Sequence, residues 1–209
     1  MAILDSIIAR AKQNKQRIVL PEGTEERTLK AADQILAEGI ANIILLGNPN
    51  EINKLASEFG LKNISKATII DPENNPNSQK YIDLLLQLRQ RKGLQPEQAV
   101  ELVKDPLYLA CLLVKAGDAD GQLAGAENTT GNVLRPALQI IKTSPGISCV
   151  SGAFVMITQT PQYGENGVII MGDCAVTPVP DAAQLSQIAV CCAETARAVA
   201  GIEDPRVAM

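Results

Sequence analysis

Residues Asp120 to Pro136 read Asp-Gly-Gln-Leu-Ala-Gly-Ala-Glu-Asn-Thr-Thr-Gly-Asn-Val-Leu-Arg-Pro, the stretch of the chain best suited to anion chemistry. Gly125, Thr129, Thr130 and Gly131 fall between a short apolar run and the start of a helical pattern. Backbone N–H groups at a helix N-terminus, with the helix dipole behind them, attract an anion, and threonine hydroxyls add donors. Arg135, about one turn into that helix, can add a two-pronged guanidinium contact to phosphate. The same residues also make an ordinary capped helix with a surface arginine, and neither a Walker A motif nor GxGxxG is present.

Two further stretches carry charge in suggestive places. Arg89-Gln-Arg-Lys-Gly93 closes a helix, where cations offset the dipole or serve a second, larger polyanion. Pro21-Glu-Gly-Thr-Glu-Glu-Arg27 follows an apolar run at the position where open α/β sheets hold ligands, though a strand-to-helix turn with its cap reads the same way. The chain has no histidine, which removes Ser-His-Asp and Cys-His nucleophiles, histidine zinc sites and imidazole bases. Acid–base chemistry would fall to Asp, Glu, Lys, Tyr or Cys. The five cysteines, Cys111, Cys149, Cys174, Cys191 and Cys192, form no CxxC pair, so metal and redox spacing is absent and buried reduced thiols are expected. Cys191 and Cys192 lie mid-helix and read as core.

Composition narrows the classes further. Nineteen Lys and Arg against 23 Asp and Glu give a net charge of −4, and only two Phe and three Tyr stand where a nucleic-acid module would want stacking aromatics on a basic face. Nucleic acid is therefore not an expected partner. The first ten residues carry Asp5 and no basic run, unlike a signal peptide, and no apolar stretch approaches the roughly 18 residues of a membrane span. A cytoplasmic protein without a membrane partner is the expectation.

The elements that must position these groups alternate. Ile3, Leu4, Ile7, Ile8 and Ala11 give an amphipathic first helix; Arg17 to Leu20, Asn42 to Leu46 and Thr68 to Ile70 read as strands. Between them lie a helix capped by Thr24 and ending at Gly39, and another over Pro49 to Glu58. Helices over Ser78 to Lys92, from Pro96, and over Leu107 to Lys115 precede a short strand at Asp120 to Leu123 and a helix from Thr130 to Thr143. Such alternation predicts an α/β fold with a mainly parallel sheet in a three-layer α/β/α arrangement. After Ser144-Pro-Gly146 the pattern changes: a β-rich run over Cys149 to Thr158 and a strand at Val168 to Met171 suggest a hairpin, and Asp181 opens a helix reaching Gly201. The expected division is 1–146 and 147–209. Arg206 to Met209 reads as the first residues of a strand, which implies an unfinished second domain.

Leu20-Pro-Glu-Gly-Thr-Glu-Glu-Arg-Thr-Leu-Lys-Ala-Ala32 resembles the opening strand, turn and helix of the phosphate acetyltransferases (phosphotransacetylases). Gly125-Ala-Glu-Asn-Thr-Thr-Gly-Asn-Val-Leu-Arg-Pro-Ala-Leu-Gln-Ile-Ile-Lys-Thr143 resembles their most distinctive motif. Tyr163-Gly-Glu, Gly172-Asp-Cys-Ala-Val-Thr-Pro178 and Ala193-Glu-Thr-Ala-Arg197 match in order and spacing, so the likeness covers essentially the whole chain. It implies two α/β domains of the isocitrate/isopropylmalate dehydrogenase type with a cleft between them, usually in a homodimer. It also implies reversible acetyl transfer between coenzyme A and inorganic phosphate, with acetyl-CoA and phosphate as substrates and no cofactor or metal. Arg135 and Arg89 match family arginines associated with substrate anions, and Thr129 and Thr130 match a hydroxyl pair expected near the phosphoryl group. The family usually has His-Ser-Thr where this chain has Asn128-Thr-Thr130. In the family the serine, arginine and aspartate that polarise the carbonyl and take the thiol proton come after the match to Met209. The 209-residue form is accordingly expected to be nearly inactive. Alternatives are a non-catalytic domain binding coenzyme A or an acyl phosphate, and a phosphate butyryltransferase; Leu134-Arg-Pro-Ala-Leu-Gln139 favours the acetyl enzymes.

Overall fold

Arg17–Leu20 (β1), Asn42–Leu46 (β2), Thr68–Ile70 (β3) and Gly121–Gln122 (β4) pair in parallel, in the order β3-β2-β1-β4. The computed structural model describes residues 2–209. They form two compact units: Ile8–Lys142, which holds this sheet, and Thr143–Met209 together with the first residues up to Ile7. The fold is mixed α/β with a mainly parallel sheet.

Alternation along the strands builds two cores. Val19, Ile44 and Leu46 point to one face and Leu20, Ile43 and Leu45 to the other, all of them buried. On the second face lie Glu26–Glu38 (α2) and Pro49–Glu58 (α3), which bury Leu29, Ala32, Ile52 and Ala56. On the first lie Ser78–Arg89 (α4), Pro96–Lys104 (α5), Pro106–Lys115 (α6) and Thr130–Ile140 (α7). α6 is apolar nearly all round: Leu107 through Leu113 are all buried. The amphipathic first helix spans Ala2–Gln13 (α1).

Local chemistry sets the boundaries. α2 is capped by Glu25, whose carboxylate accepts the Thr28 N–H, and not by Thr24 as expected. The turn closed by the Glu25 N–H on the Glu22 carbonyl brings residue 25 into the cap position. Gly39 ends the helix in the left-handed conformation (φ 66°), as its position predicted. α4 stops at Arg89 and tightens into a 3₁₀ turn over Gln90–Lys92 before Gly93. Asp105 separates α5 from α6 by accepting the Leu107 and Tyr108 N–H groups, with Pro106 in the first turn. α7 ends short of Thr143 because Lys142 turns left-handed (φ 69°).

In the second unit Ala153–Ile157 (β5) and Val168–Gly172 (β6) form the expected antiparallel hairpin, and Ala182–Thr195 (α8) is held at its start by a reciprocal Asp181–Gln184 capping box. A π-helical turn over Ala196–Ala200 carries that helix to Gly201. The strand expected at Arg206 to Met209 is not formed: residues 203–209 are irregular and pair with no strand among the described residues.

Candidate anion-binding site

From β1 the chain moves to β2 and β3 on one side, and β4 lies on the other. The order therefore reverses between β1 and β4, and the crevice beyond their C-terminal ends is where open α/β sheets hold ligands. The register Ile18↔Gly121 and Val19↔Gln122 places the exit of β1, Pro21-Glu22, against the loop leaving β4. A cavity of about 450 Å³ opens there, walled by residues of three segments: Pro21 and Glu22; Asp105 to Tyr108; and Glu127, Asn128, Asn132 and Arg135.

Glu22 is the unexpected centre of this wall. It is only 5% exposed. Its Oε2 accepts the N–H groups of Gly125 (2.9 Å) and Ala126 (2.8 Å), while Oε1 accepts those of Glu127 (3.1 Å) and Asn128 (3.0 Å) and the Asn128 side-chain amide (2.9 Å). Burial alone would push this carboxyl up, but the Asn128 side chain and the backbone donors outweigh it and hold the group below the usual carboxylate range. Arg27 pairs with Glu25 and donates to the Ala126 carbonyl, so the loop is tied through both its N–H and C=O groups. The amide of Gly125, read from sequence as part of an anion cradle, is thus spent on an internal carboxylate.

The start of α7 retains donors. Thr129 caps it, its hydroxyl accepting the Asn132 N–H at 3.3 Å, and the first intrahelical bond runs from Val133 to the Thr129 carbonyl. The N–H groups of Thr130 and Gly131 precede that ladder. Thr129 and Thr130 are exposed and do not wall the cavity.

Arg135 projects from α7 onto the cavity, one residue before the buried Pro136. Arg89, half-buried at the end of α4, does not wall it. Both guanidinium charges nevertheless reach one phenol. The Tyr108 hydroxyl is raised above its ordinary pKa by burial and then by Asp105, while Arg135 and Arg89 pull it the other way. That hydroxyl donates to Gln139 Oε1 on α7 at 3.1 Å, locking α6 to α7 beside Arg135. Of the three carboxylates on the wall, Glu22 and Asp105 are turned onto backbone amides, which leaves Glu127 facing outward near Arg27. The arrangement can take an anion on Arg135 at the cavity, while Thr129 and Thr130 at the α7 terminus and Arg89 lie outside its wall.

Sequence reasoning marked the stretches that hold Glu22 and Asn132 without assigning either residue a role, and it missed Asp105 and Tyr108. Asp105-Pro106 carried a cap-then-proline signal, and Pro21-Glu-Gly23 marked a strand exit, but neither pattern identifies its partner. A larger cavity, about 720 Å³, lies in the second unit between β6, α8 and residues 204–209, lined chiefly by apolar side chains such as Ile169, Ile188 and Val207. Among the described residues no group of three or more His, Cys, Asp or Glu is placed to hold a metal, all five cysteines are free thiols, and no helix is long and apolar enough to cross a membrane.

The family profile described as phosphate acetyl/butaryl transferase matches residues 2–209. A phosphate acetyltransferase of Thermoanaerobacterium thermosaccharolyticum is 51% identical over 209 residues, which is 100% of this chain and 62% of that one. The phosphate acetyltransferase of Escherichia coli K12 is 44% identical over 199 residues, 95% of this chain and 26% of that one. Among solved structures, a phosphotransacetylase from Streptococcus pyogenes superposes with a TM-score of 0.86 at 35% identity, covering 94% of this chain and 58% of that one. EutD phosphotransacetylase from Staphylococcus aureus gives 0.83 at 37% identity, covering 93% and 57%. The chain therefore spans less than two thirds of the length of these relatives.

Proposed function

The chain belongs to the phosphate acetyl/butaryl transferase family, and on that premise we propose that its site serves the reversible transfer of an acetyl group between coenzyme A and inorganic phosphate. The thiolate of coenzyme A attacks the carbonyl carbon of acetyl phosphate. The carbonyl C–O bond to the phosphate group then breaks, releasing inorganic phosphate and leaving acetyl-CoA. A thiol with an ordinary pKa near 8.5 must lose its proton to a base, and cationic groups must offset charge on the phosphoryl and carbonyl oxygens. Arg135 and the α7 terminus supply the cationic part here, with Arg89 beside them and Thr129 and Thr130 as hydroxyl donors to the phosphoryl group.

The observation that carries the reading is the placement of Arg135 on the cavity at the β1/β4 crevice, with the charge of Arg89 felt at the same phenol. The relatives named as phosphate acetyltransferases favour acetyl over butyryl transfer. The proposal extends to a cytoplasmic homodimer of the two-domain isocitrate/isopropylmalate dehydrogenase type. It also holds that these 209 residues bind substrate anions with little turnover, because the family pattern puts its base after the match to Met209. Calorimetry of the chain with coenzyme A, alongside an acetyl phosphate–dependent thioester assay, tests this. Saturable binding weakened about tenfold or more by Arg135→Ala, yet still measurable, supports it, and no binding of coenzyme A refutes it.

A further inference from the structure

Four successive amide N–H groups converging on one point form the kind of concavity that takes a phosphate in other proteins. Here residues 125–128 offer that concavity to Glu22, at 2.8 to 3.1 Å, from a position 103 to 106 residues away in sequence. A carboxylate suits the place because two oxygens with about four lone-pair sites meet five donors, counting the Asn128 side chain. A carboxamide would offer one oxygen and set an NH₂ group against the remaining N–H groups.

The clamp also lies directly upstream of Arg135. Asn128 is its last member, Thr129 caps α7, and Arg135 follows on the first turns of that helix. The orientation of α7 is held at its other end by the Tyr108–Gln139 bond. Between the two attachments the helix has little freedom to roll or slide.

We infer that Glu22 is a positioning residue for the anion site: it fills the 125–128 amide concavity from within, fixes where α7 begins, and thereby presents Arg135 to the substrate anion. An incoming phosphate is then directed to the guanidinium and denied the loop. This rests on the reading of Arg135 as a substrate contact, but its central claim can be measured without ligand.

The test uses Glu22→Gln, which keeps the shape and removes one acceptor, and Glu22→Asp, which keeps the charge and shortens the reach. Backbone amide exchange is measured over residues 125–135, and coenzyme A affinity is measured in chains with Arg135 and with Arg135→Ala. Exchange at 125–128 and in the first turn of α7 is expected to quicken together by about tenfold or more. Coenzyme A binding should weaken about tenfold with Arg135 present and less than about twofold without it, because the two residues act in series. Equal losses in both backgrounds would mean a general loss of fold and overturn the inference. So would unchanged exchange in α7, or tighter binding of inorganic phosphate by Glu22→Gln, which would make Glu22 an occupant that substrate displaces. If Glu22→Gln does not fold, Asn128→Ala removes one donor and leaves the carboxylate, with an expected threefold weakening of about the same pattern. A wild-type chain that binds no coenzyme A defeats the functional reading, and amide exchange then decides the positioning claim alone.

Discussion

Gly23 sits directly after the clamp carboxylate, and alanine at that position should be among the most damaging single-methyl additions in the chain. A Cβ on Gly23 would lie 2.3 Å from the Leu46 carbonyl oxygen, 3.1 Å from its carbon and 3.2 Å from its nitrogen. An ordinary carbon–oxygen contact needs about 3.3 Å or more, so the two backbones must part by about 1 Å. Neither side can yield easily. Leu46 is 1% exposed and ends β2 in register with Ile70, while the next residue, Gly47, donates to the Ile70 carbonyl. Separation also breaks the Gly23 N–H bond to the same Leu46 oxygen. Overpacking of about 1–3 kcal/mol plus a lost hydrogen bond of about 0.5–1.5 kcal/mol gives a destabilisation of about 2–4 kcal/mol. With a urea m-value of about 2 kcal/mol/M, the midpoint should fall by about 1–2 M. Urea unfolding of Gly23→Ala, followed by circular dichroism and fitted to the transition of the sheet-bearing unit, measures this. The counterpart is Gly131→Ala: a Cβ there meets nothing within 4 Å, so helix propensity should raise stability slightly, by about 0.5 kcal/mol. A midpoint for Gly23→Ala within about 0.2 M of wild type would refute the steric reasoning.

Three other outcomes follow from the same geometry. Glu22 is held below its ordinary value of 4.5, so its contribution is complete above the unfolded carboxyl pKa and is lost as pH falls through the lower folded one. Amide exchange at 125–128, corrected for intrinsic rates, should therefore quicken as pH falls below the ordinary carboxyl range, and a flat profile in wild type would contradict the clamp. Arg135→Lys keeps a point charge but loses the planar fork, so coenzyme A affinity should fall about tenfold and the salt dependence of binding should remain; affinity equal to wild type would show that the fork is not used. Burial and Asp105 push the Cys111 thiol up to about 12, and its S–H donates to Gln122 Oε1, whereas Cys174 is exposed. Iodoacetamide at neutral pH should label Cys174 first and Cys111 only on unfolding, as peptide mapping would reveal.

Periodicity gave the elements of the sheet-bearing unit closely, because its strands are buried on both faces and its helices are punctuated by Gly39, Gly93 and proline. β1, β2, β3 and α3 fall at the residues the sequence pattern marks. Legibility fell where tertiary contacts decide. Thr24 and Glu25 are both competent caps, and the turn onto the Glu22 carbonyl selects the second. The apolar run from Arg206 has strand character, yet it pairs with no strand among the described residues, and the local pattern alone does not select a partner. At the site, Arg135 was legible because its place after a Gly/Thr helix start is a local pattern. Glu22 was not, since an acceptor and its five donors separated by over 100 residues leave no local trace. Asp173 repeats the lesson in the second unit: it lies in the matched Gly172-Asp-Cys-Ala-Val-Thr-Pro178 motif and accepts the N–H groups of Gly152, Ala175, Val176 and Thr177. That carboxylate too organises a turn.

The short fourth strand explains why the site forms where it does. β4 has two residues, and Gly121 allows the Ile18 side chain to approach within 3.3 Å of where a Cβ would stand. Its pairing with β1 ends at Gln122, after which the Leu123 N–H still bonds the Val19 carbonyl and the chain is released. β1 releases its own chain at Leu20. Two strand ends leaving the sheet side by side would expose a row of unpaired amides at the crevice, which carries a free-energy cost unless each finds an acceptor. The side chain of Glu22 meets that need for the β4 exit, while the Leu46 carbonyl meets it for Gly23 at the β1 exit. The guanidinium of Arg135 remains unspent on the cavity wall, with the exposed Glu127 carboxylate turned outward near Arg27. The backbone's demand for acceptors and the site's preference for anions are thus met by different groups, and the buried Glu22 carboxylate on the cavity wall makes the separation possible.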